Sequence, residues 1–416
     1  MAAVTGLRCL RCSSYYPARH YASDCPSCHQ QAPSNLVVEY ERPVQPPPRD
    51  CKAGSGLWRY GDLLPVTQAE AVSLGEGATP LHRLETIGRS IGVDCLFGKD
   101  ETRNPTWSFK DRLACIAVSV AKKLGAPAVV SSSTGNAGAA VAAYAAKAGM
   151  PCIVFTAKGV VGPLVTQMRV YGATVVAAAS KADRWPLMQH AVSELGWFPT
   201  SPFFGPVVGS NPYGIEGYKT LAYEIAEQMN WDVADCCVLP VCYGDALLGM
   251  WRGFEEMRSF GWIERTPRLI AAEIYGSLGA ALRDGGDALP DMPLSHETVA
   301  KSTSATRSTF QALYVLRASG GAATTVGNTA ILDWQQKLAA QEGLYVEPAS
   351  AGAIAAVAQL KQSGDIKPTD KVVVLLTASG LKDPDATAAA QGEALAIEGD
   401  VKAAFSHLAA MKLIPK

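Results

Sequence analysis

The chain has 416 residues, 48% of them apolar and 18% charged, with a formal net charge of -1. It is too long for one simple core and is expected to hold two or three domains. Its charge offers no global field for nucleic acid or an anionic membrane, and no stretch has the roughly 18 uninterrupted apolar residues of a membrane span. No apolar signal core opens the chain. Eleven cysteines, seven of them outside any framework, argue for a reducing cytoplasm.

Two knuckles come first, Cys9-x-x-Cys12 and Cys25-x-x-Cys28, with twelve residues between them. This is the spacing of a four-thiolate zinc ribbon, each pair on a tight turn and four sulfurs closing a tetrahedron. Four thiolates leave no open coordination position, so a zinc ion there is structural, with His20 and His29 as bystanders. The alternative is a metal-free remnant of such a ribbon. The Pro-rich run from Arg42 to Arg49 then reads as a linker.

Asn104-Pro105 signals a turn, and the run Leu113 to Ala121 reads as the apolar body of a helix. Lys110 therefore falls in the first turn of a largely buried helix. Desolvation disfavours the ammonium and lowers its pKa, which makes the amine a nucleophile. The bland alternative is a lysine snorkelling from a helix start.

Further along, β-prone apolar runs alternate with helical stretches: 128–130, 152–155, 174–176, 237–239, 269–272 and 371–376. Continuous apolar strands followed by helices argue for mostly parallel sheets covered on both faces, an α/β class. Ligands in such sheets bind at the carboxyl ends of strands.

Three strand-to-helix turns carry chemistry. Residues 131–138, Ser-Ser-Ser-Thr-Gly-Asn-Ala-Gly, combine hydroxyls with a helix N-terminus and suit a carboxylate, beyond what capping needs. The turn Cys242-Tyr243-Gly244-Asp245-Ala246 precedes a helix expected over Leu247 to Met257 and is positioned for phosphate, although weakly by composition. The last turn, from Thr377 to Pro384, adds a hydroxyl where the others converge. A lysine amine, a carboxylate cradle, a phosphate turn and a hydroxyl anchor are together what pyridoxal phosphate needs.

At these residues the chain resembles the threonine synthases and their relatives, pyridoxal phosphate enzymes of the tryptophan synthase β-like fold. The resemblance runs nearly end to end. It rests on Gly75-Glu76-Gly77-Ala78-Thr79-Pro80-Leu81, the stretch Asn104 to Arg112, Ser133 to Gly138, Asn211 to Thr220, Val346-Glu347-Pro348-Ala349-Ser350-Ala351, and Thr377 to Pro384, in the family's order. It implies that Lys110 forms the Schiff base and carries protons at Cα and Cβ, that Phe109 packs beside the cofactor ring, and that Asn136 meets its phenolic oxygen. Ser133 and Thr134 would hold the substrate carboxylate, and Thr377 would face the pyridine nitrogen. A neutral hydroxyl there does not favour a protonated ring, a bias toward elimination over transamination. Residues 242–246 would receive the cofactor phosphate. The implied organisation is a ribbon over 1–42, a cofactor domain over 43–119 and 224–416, a smaller closing domain over 120–223, and a homodimer.

Four departures bear on the substrate. Trp107 stands where threonine synthases usually carry Gly, and an indole there is expected to form a wall near the cofactor. Gly214 stands where they carry an arginine that grips the substrate phosphate. The turn at 242–246 lacks the usual Gly and Asn, and its Asp245 either repels a dianion or caps its own helix. The stretch from Pro163 to Gln167 lacks the usual lysine. A charge-assisted phosphate contact contributes on the order of 1.5–3 kcal/mol, so its loss lowers affinity roughly tenfold to a hundredfold or more. The expected activity is an elimination or replacement on an α-amino acid, threonine synthase-like as the first choice. A β-elimination or β-replacement on a serine-, threonine- or cysteate-like amino acid is the alternative. A non-catalytic zinc-ribbon binding protein is the rival from another class, weakened by the absence of a basic stripe.

Overall fold

The computed structural model describes residues 4–18, 24–29, 31–41, 49, 55–159, 162–180, 183–394, 396 and 399–411. His20 and residues 42–48 of the Pro-rich run lie outside the described residues. Three antiparallel strands, β1 (Val4–Cys9), β2 (Tyr15–Pro17) and β3 (Leu36–Tyr40), form a small sheet ordered β2-β1-β3. Such a sheet cannot enclose a core of its own. Its buried Leu7, Leu36 and Val38 instead join the core that contains Tyr213, Tyr218 and Leu248.

Two parallel-rich sheets follow. β4 (Leu81–Arg83) and β5 (Cys95–Asp100) begin the larger one. β6 (Val129–Ser132), β7 (Cys152–Ala157), β8 (Thr174–Ala178) and β9 (Phe198–Pro199) form a four-stranded parallel sheet ordered β8-β7-β6-β9. β10 (Cys236–Pro240), β11 (Arg268–Glu273), β12 (Ala322–Thr325) and β13 (Lys371–Leu376) complete the larger sheet, ordered β12-β11-β10-β13-β5-β4, with β4 its antiparallel edge. All six apolar runs are strands of this α/β architecture. Strands β5 and β12 were not among those runs. Gly98-Lys99-Asp100 looks like a loop, yet Lys99 is fully buried because Glu224 neutralises it at 2.7 Å. Ala322–Thr325 is short and only half-buried.

The carboxyl ends of β6, β10 and β13 carry the three turns singled out in the sequence. The helix Asn136–Ala148 follows the first, and Asp245–Ser259, longer than expected, follows the second. Residues to Asp383 make one compact unit. Pro384–Lys416 make another, with helices Asp385–Gln391 and Val401–Ala410. Among the described residues no helix is long and apolar enough to cross a membrane.

Candidate active site

Lys110 is the first residue of the helix Lys110–Lys123, whose next eleven residues are all buried. Two isolated bridges, Ser108 with Ala378 and Val346 with Ser379, string three motifs side by side. The Phe109 N–H donates to the Thr377 carbonyl at 2.8 Å, and the Glu347 N–H to the Ala378 carbonyl at 2.9 Å. Lys110 Nζ lies 4.5 Å from the Phe109 ring centroid and 5.7 Å from that of Tyr218, and the two rings stack at 5.3 Å. Among the described residues its ammonium has no hydrogen-bond or ion-pair partner. Burial lowers its pKa, and the charges of Asp245, Cys242 and Glu347 oppose that shift. This is a lysine held ready to act as an amine.

Thr377 and Asn136, read from sequence as ring contacts, meet through a carboxylate to which no role was assigned. Glu347 accepts from Asn136 Nδ2 at 2.9 Å, from Thr377 Oγ1 at 3.2 Å and from Ser302 Oγ at 3.2 Å. Burial raises its pKa, opposed chiefly by the Asn136 contact and by Lys382. The backbone sets the polarity of this network. The N–H groups of Thr377 and Ala378 donate to Ser350 Oγ at 2.9 and 3.2 Å, so Ser350 gives its proton to Thr377 Oγ1 at 2.7 Å. Thr377 then donates to Glu347, and the lone pair left on its oxygen can only accept. The Val346 to Ala351 motif was visible in the sequence; only the fold shows that Glu347 joins Asn136 and Thr377.

The cradle at 131–136 leaves three buried side-chain atoms unspent. The helix cap Gly135 has no side chain to bond the first-turn N–H groups, and its own N–H donates to Ser133 Oγ at 3.2 Å. Ser131 Oγ, Ser132 Oγ and Asn136 Oδ1 are buried without a partner among the described residues. Ser133 and Thr134 are half-buried. Capping therefore does not account for the run, and orphan hydroxyls at a helix N-terminus suit an anion.

At the second turn Gly244 adopts φ +75°, and a Cβ there would lie 2.5 Å from that of Ala312, so the position requires glycine. Ala246 is buried in the first turn of the helix that follows. Burial pushes the Cys242 thiol up to about 12. The expectation that Asp245 caps its own helix is corrected, because Gly244 is the cap and the carboxylate bonds elsewhere. Asp245 accepts from Ser210 N–H at 2.9 Å, Ser210 Oγ at 2.6 Å and Gln311 Nε2 at 2.7 Å. Three neutral donors spend the carboxylate within the protein.

Much of the motif set is a frame. Arg112, fully buried, makes six hydrogen bonds: to Glu101, Glu224, Thr79 and Thr220. Glu224 also takes the Ala78 and Thr79 N–H groups, and Glu76 the Tyr144 hydroxyl at 2.7 Å. Asp111 accepts from the Thr106 N–H and hydroxyl at 2.7 and 2.6 Å, and burial pushes its carboxyl up to about 7. Trp107 is half exposed at φ +63°. That left-handed backbone costs an L-residue roughly 1–2 kcal/mol and explains why glycine suits the position. Gly214 packs on the lysine helix; a Cβ there would lie 3.0 Å from Leu113 Cγ and 3.2 Å from Ala117.

The four sulfurs of Cys9, Cys12, Cys25 and Cys28 lie within 4.8 Å of one another, with Cys9–Cys28 at 3.8 Å and Cys12–Cys25 at 3.7 Å. A tetrahedron with zinc–sulfur bonds of about 2.3 Å has edges of about 3.8 Å, so the donor set fits that ion. His29 bonds Asp24 at 2.6 Å instead of joining the cluster.

The site fits pyridoxal phosphate in its chemistry: an unpaired, desolvated amine, orphan buried polar groups and two helix N-termini. Residues 72–378 match the family described as pyridoxal-phosphate dependent enzymes. The threonine synthase of Methanocaldococcus jannaschii is 33% identical over 405 residues, covering 95% of this chain and 97% of that one. That of Synechocystis is 35% identical over 371 residues, 86% and 92% of the two chains. Among solved structures, maize serine racemase aligns with a TM-score of 0.62 at 21% identity, over 80% of this chain and 92% of that one. A threonine deaminase isoform of Solanum lycopersicum aligns with a TM-score of 0.61 at 19% identity, over 72% and 83%. These structural likenesses speak to the fold.

Proposed function

The chain belongs to the pyridoxal-phosphate dependent enzymes, and we propose that it converts O-phosphohomoserine and water to threonine and phosphate. One observation carries the reading: a desolvated, unpaired Lys110 beside Thr377 and Glu347, in motifs shared with threonine synthases. Bound pyridoxal phosphate supplies an electron sink for the pair left when a substrate proton departs. Lys110 holds the cofactor until substrate displaces it, then moves protons. It takes them from Cα and Cβ and returns them at Cγ and Cα, while phosphate leaves Cγ and water adds at Cβ. Ser133 and Thr134, at the helix start, hold the substrate carboxylate. Phe109 packs beside the ring, Asn136 meets the phenolic oxygen, and Thr377 meets the ring nitrogen. The N–H groups of Cys242, Tyr243, Gly244, Asp245 and Ala246 receive the cofactor phosphate.

We further infer that Cys9, Cys12, Cys25 and Cys28 bind one structural zinc, that residues 120–223 close over the substrate, and that the enzyme is a cytoplasmic homodimer. A second reading, β-elimination or β-replacement on a serine-, threonine- or cysteate-like amino acid, is favoured by Gly214. A side chain there would crowd Leu113 and Ala117 at 3.0 and 3.2 Å from its Cβ, in place of the phosphate-gripping arginine of the threonine synthases. Phosphate release from O-phosphohomoserine, with threonine formed in step, tests the first reading. No release above background, with turnover of serine, threonine or cysteate, replaces it with the second.

A further inference from the structure

A continuous hydrogen-bonded path joins the four-cysteine ribbon to the turn at 242–246. Asn35, just before β3, stands between the knuckles. Its carbonyl accepts the Leu10 N–H at 3.3 Å, and the Ser34 carbonyl accepts that of Cys25 at 3.0 Å. The Asn35 Nδ2 group donates to Gln311 Oε1 at 2.9 Å and to the Ser210 carbonyl at 3.2 Å. Gln311 Nε2 in turn donates to the Tyr243 carbonyl at 2.8 Å and to Asp245 Oδ1 at 2.7 Å. Thr309 Oγ1 donates to the same Tyr243 carbonyl at 2.7 Å, and Ser308 Oγ to that of Cys242 at 2.8 Å. From inside the first knuckle, Arg11 stacks 3.6 Å over the Phe310 ring and pairs with Asp287 at 2.9 Å. The ribbon thus grips 308–311, and 308–311 grip the turn.

The polarity of this path is forced. The Tyr243 carbonyl can only accept, so Gln311 must turn its Nε2 toward it and its Oε1 toward Asn35. Asn35 must then give Nδ2, which leaves its Oδ1 to accept the Leu36 N–H at 2.9 Å. Both side chains are buried, and Gly209 passes them at φ +136°, where a Cβ would lie 2.4 Å from one amide and 2.6 Å from the other. Peptide planarity carries the effect onward. In a trans peptide the N–H points opposite the carbonyl, so pinning the carbonyls of Cys242 and Tyr243 aims the N–H groups of Tyr243 and Gly244 the other way. Those two N–H groups have no partner among the described residues.

We propose that Asn35 and Gln311 are positioning residues through which the ribbon sets the backbone of the 242–246 turn, and with it the affinity for a phosphate group. The inference rests on reading that turn as the phosphate site. It also gives work to Ser308 and Thr309, whose hydroxyls hold the carbonyls of Cys242 and Tyr243. Asn35→Asp keeps the shape and sets an acceptor against Gln311 Oε1; Gln311→Leu removes the link.

The test titrates full-length protein, stripped of cofactor, with pyridoxal 5'-phosphate and with pyridoxal, and follows hydrogen exchange over 242–248. Each variant should bind pyridoxal 5'-phosphate about tenfold or more weakly while binding pyridoxal as the parent does. A defect that is merely structural weakens both ligands alike, and that result, or no weakening of either, overturns the brace. In the parent, the phosphorylated ligand should slow exchange over 242–248 and pyridoxal should not. Equal exchange with both shows that the phosphate binds elsewhere, which removes the premise itself.

Discussion

Lys110 and Arg112 stand two residues apart on one helix and live in opposite surroundings. Arg112 is fully buried with six hydrogen bonds and two carboxylates; Lys110 has no partner for its ammonium among the described residues. The difference separates frame from site. A frame must be satisfied, because an unpaired buried charge costs several kcal/mol. A site keeps polar atoms unspent, as Lys110 Nζ, Ser131 Oγ, Ser132 Oγ and Asn136 Oδ1 are among the described residues.

Removing each partner tests the contrast. Lys110→Ala should abolish turnover and the visible band of the bound cofactor while leaving the melting temperature near that of the parent. Turnover within about tenfold of the parent would mean that another lysine carries the chemistry. Arg112→Met should do the reverse. It leaves Glu101 and Glu224 facing each other and should cost about 3–5 kcal/mol in denaturant unfolding; a loss below about 1 kcal/mol would show that the cluster is not a frame. Cys9, Cys12, Cys25 and Cys28 are a third set, spaced to fit zinc, so metal analysis should find one zinc per chain, lost in Cys25→Ser. A full complement of zinc in that variant would sink the assignment.

Smaller effects concern Glu347 and Trp107. Glu347 accepts from both Asn136 and Thr377, the two residues read as ring contacts. Because burial raises its pKa, activity should fall with decreasing pH above the ordinary glutamate value of about 4.3. Glu347→Gln should remove that acid limb, and a limb unmoved in the variant assigns it to another group. Stability runs the other way. The folded state holds this proton more tightly, so the contribution is present below about 4.3 and is lost as pH rises through the folded value. Trp107→Gly relieves a left-handed residue but frees the unfolded chain, so stability should change by less than about 1 kcal/mol. Its effect should appear instead in the range of amino acids turned over; an unchanged range would show that the indole walls nothing.

The sequence by itself determined the α/β class, the cofactor chemistry of the family and the place of Lys110 at the start of a buried helix, because strand hydrophobicity, helix starts and short motifs are local patterns written in adjacent residues. It also presented Cys9, Cys12, Cys25 and Cys28 as a ligand set, since their spacing is itself a local signal. Tertiary structure alone decided which members of those motifs keep a polar atom without a partner among the described residues and which bond one another. Glu347 stands behind Asn136 across 211 positions, Arg112 meets Glu224 across 112, and Asn35 meets Gln311 across 276. A hydrogen bond depends on position and polarity in space, and no spacing along the chain encodes either.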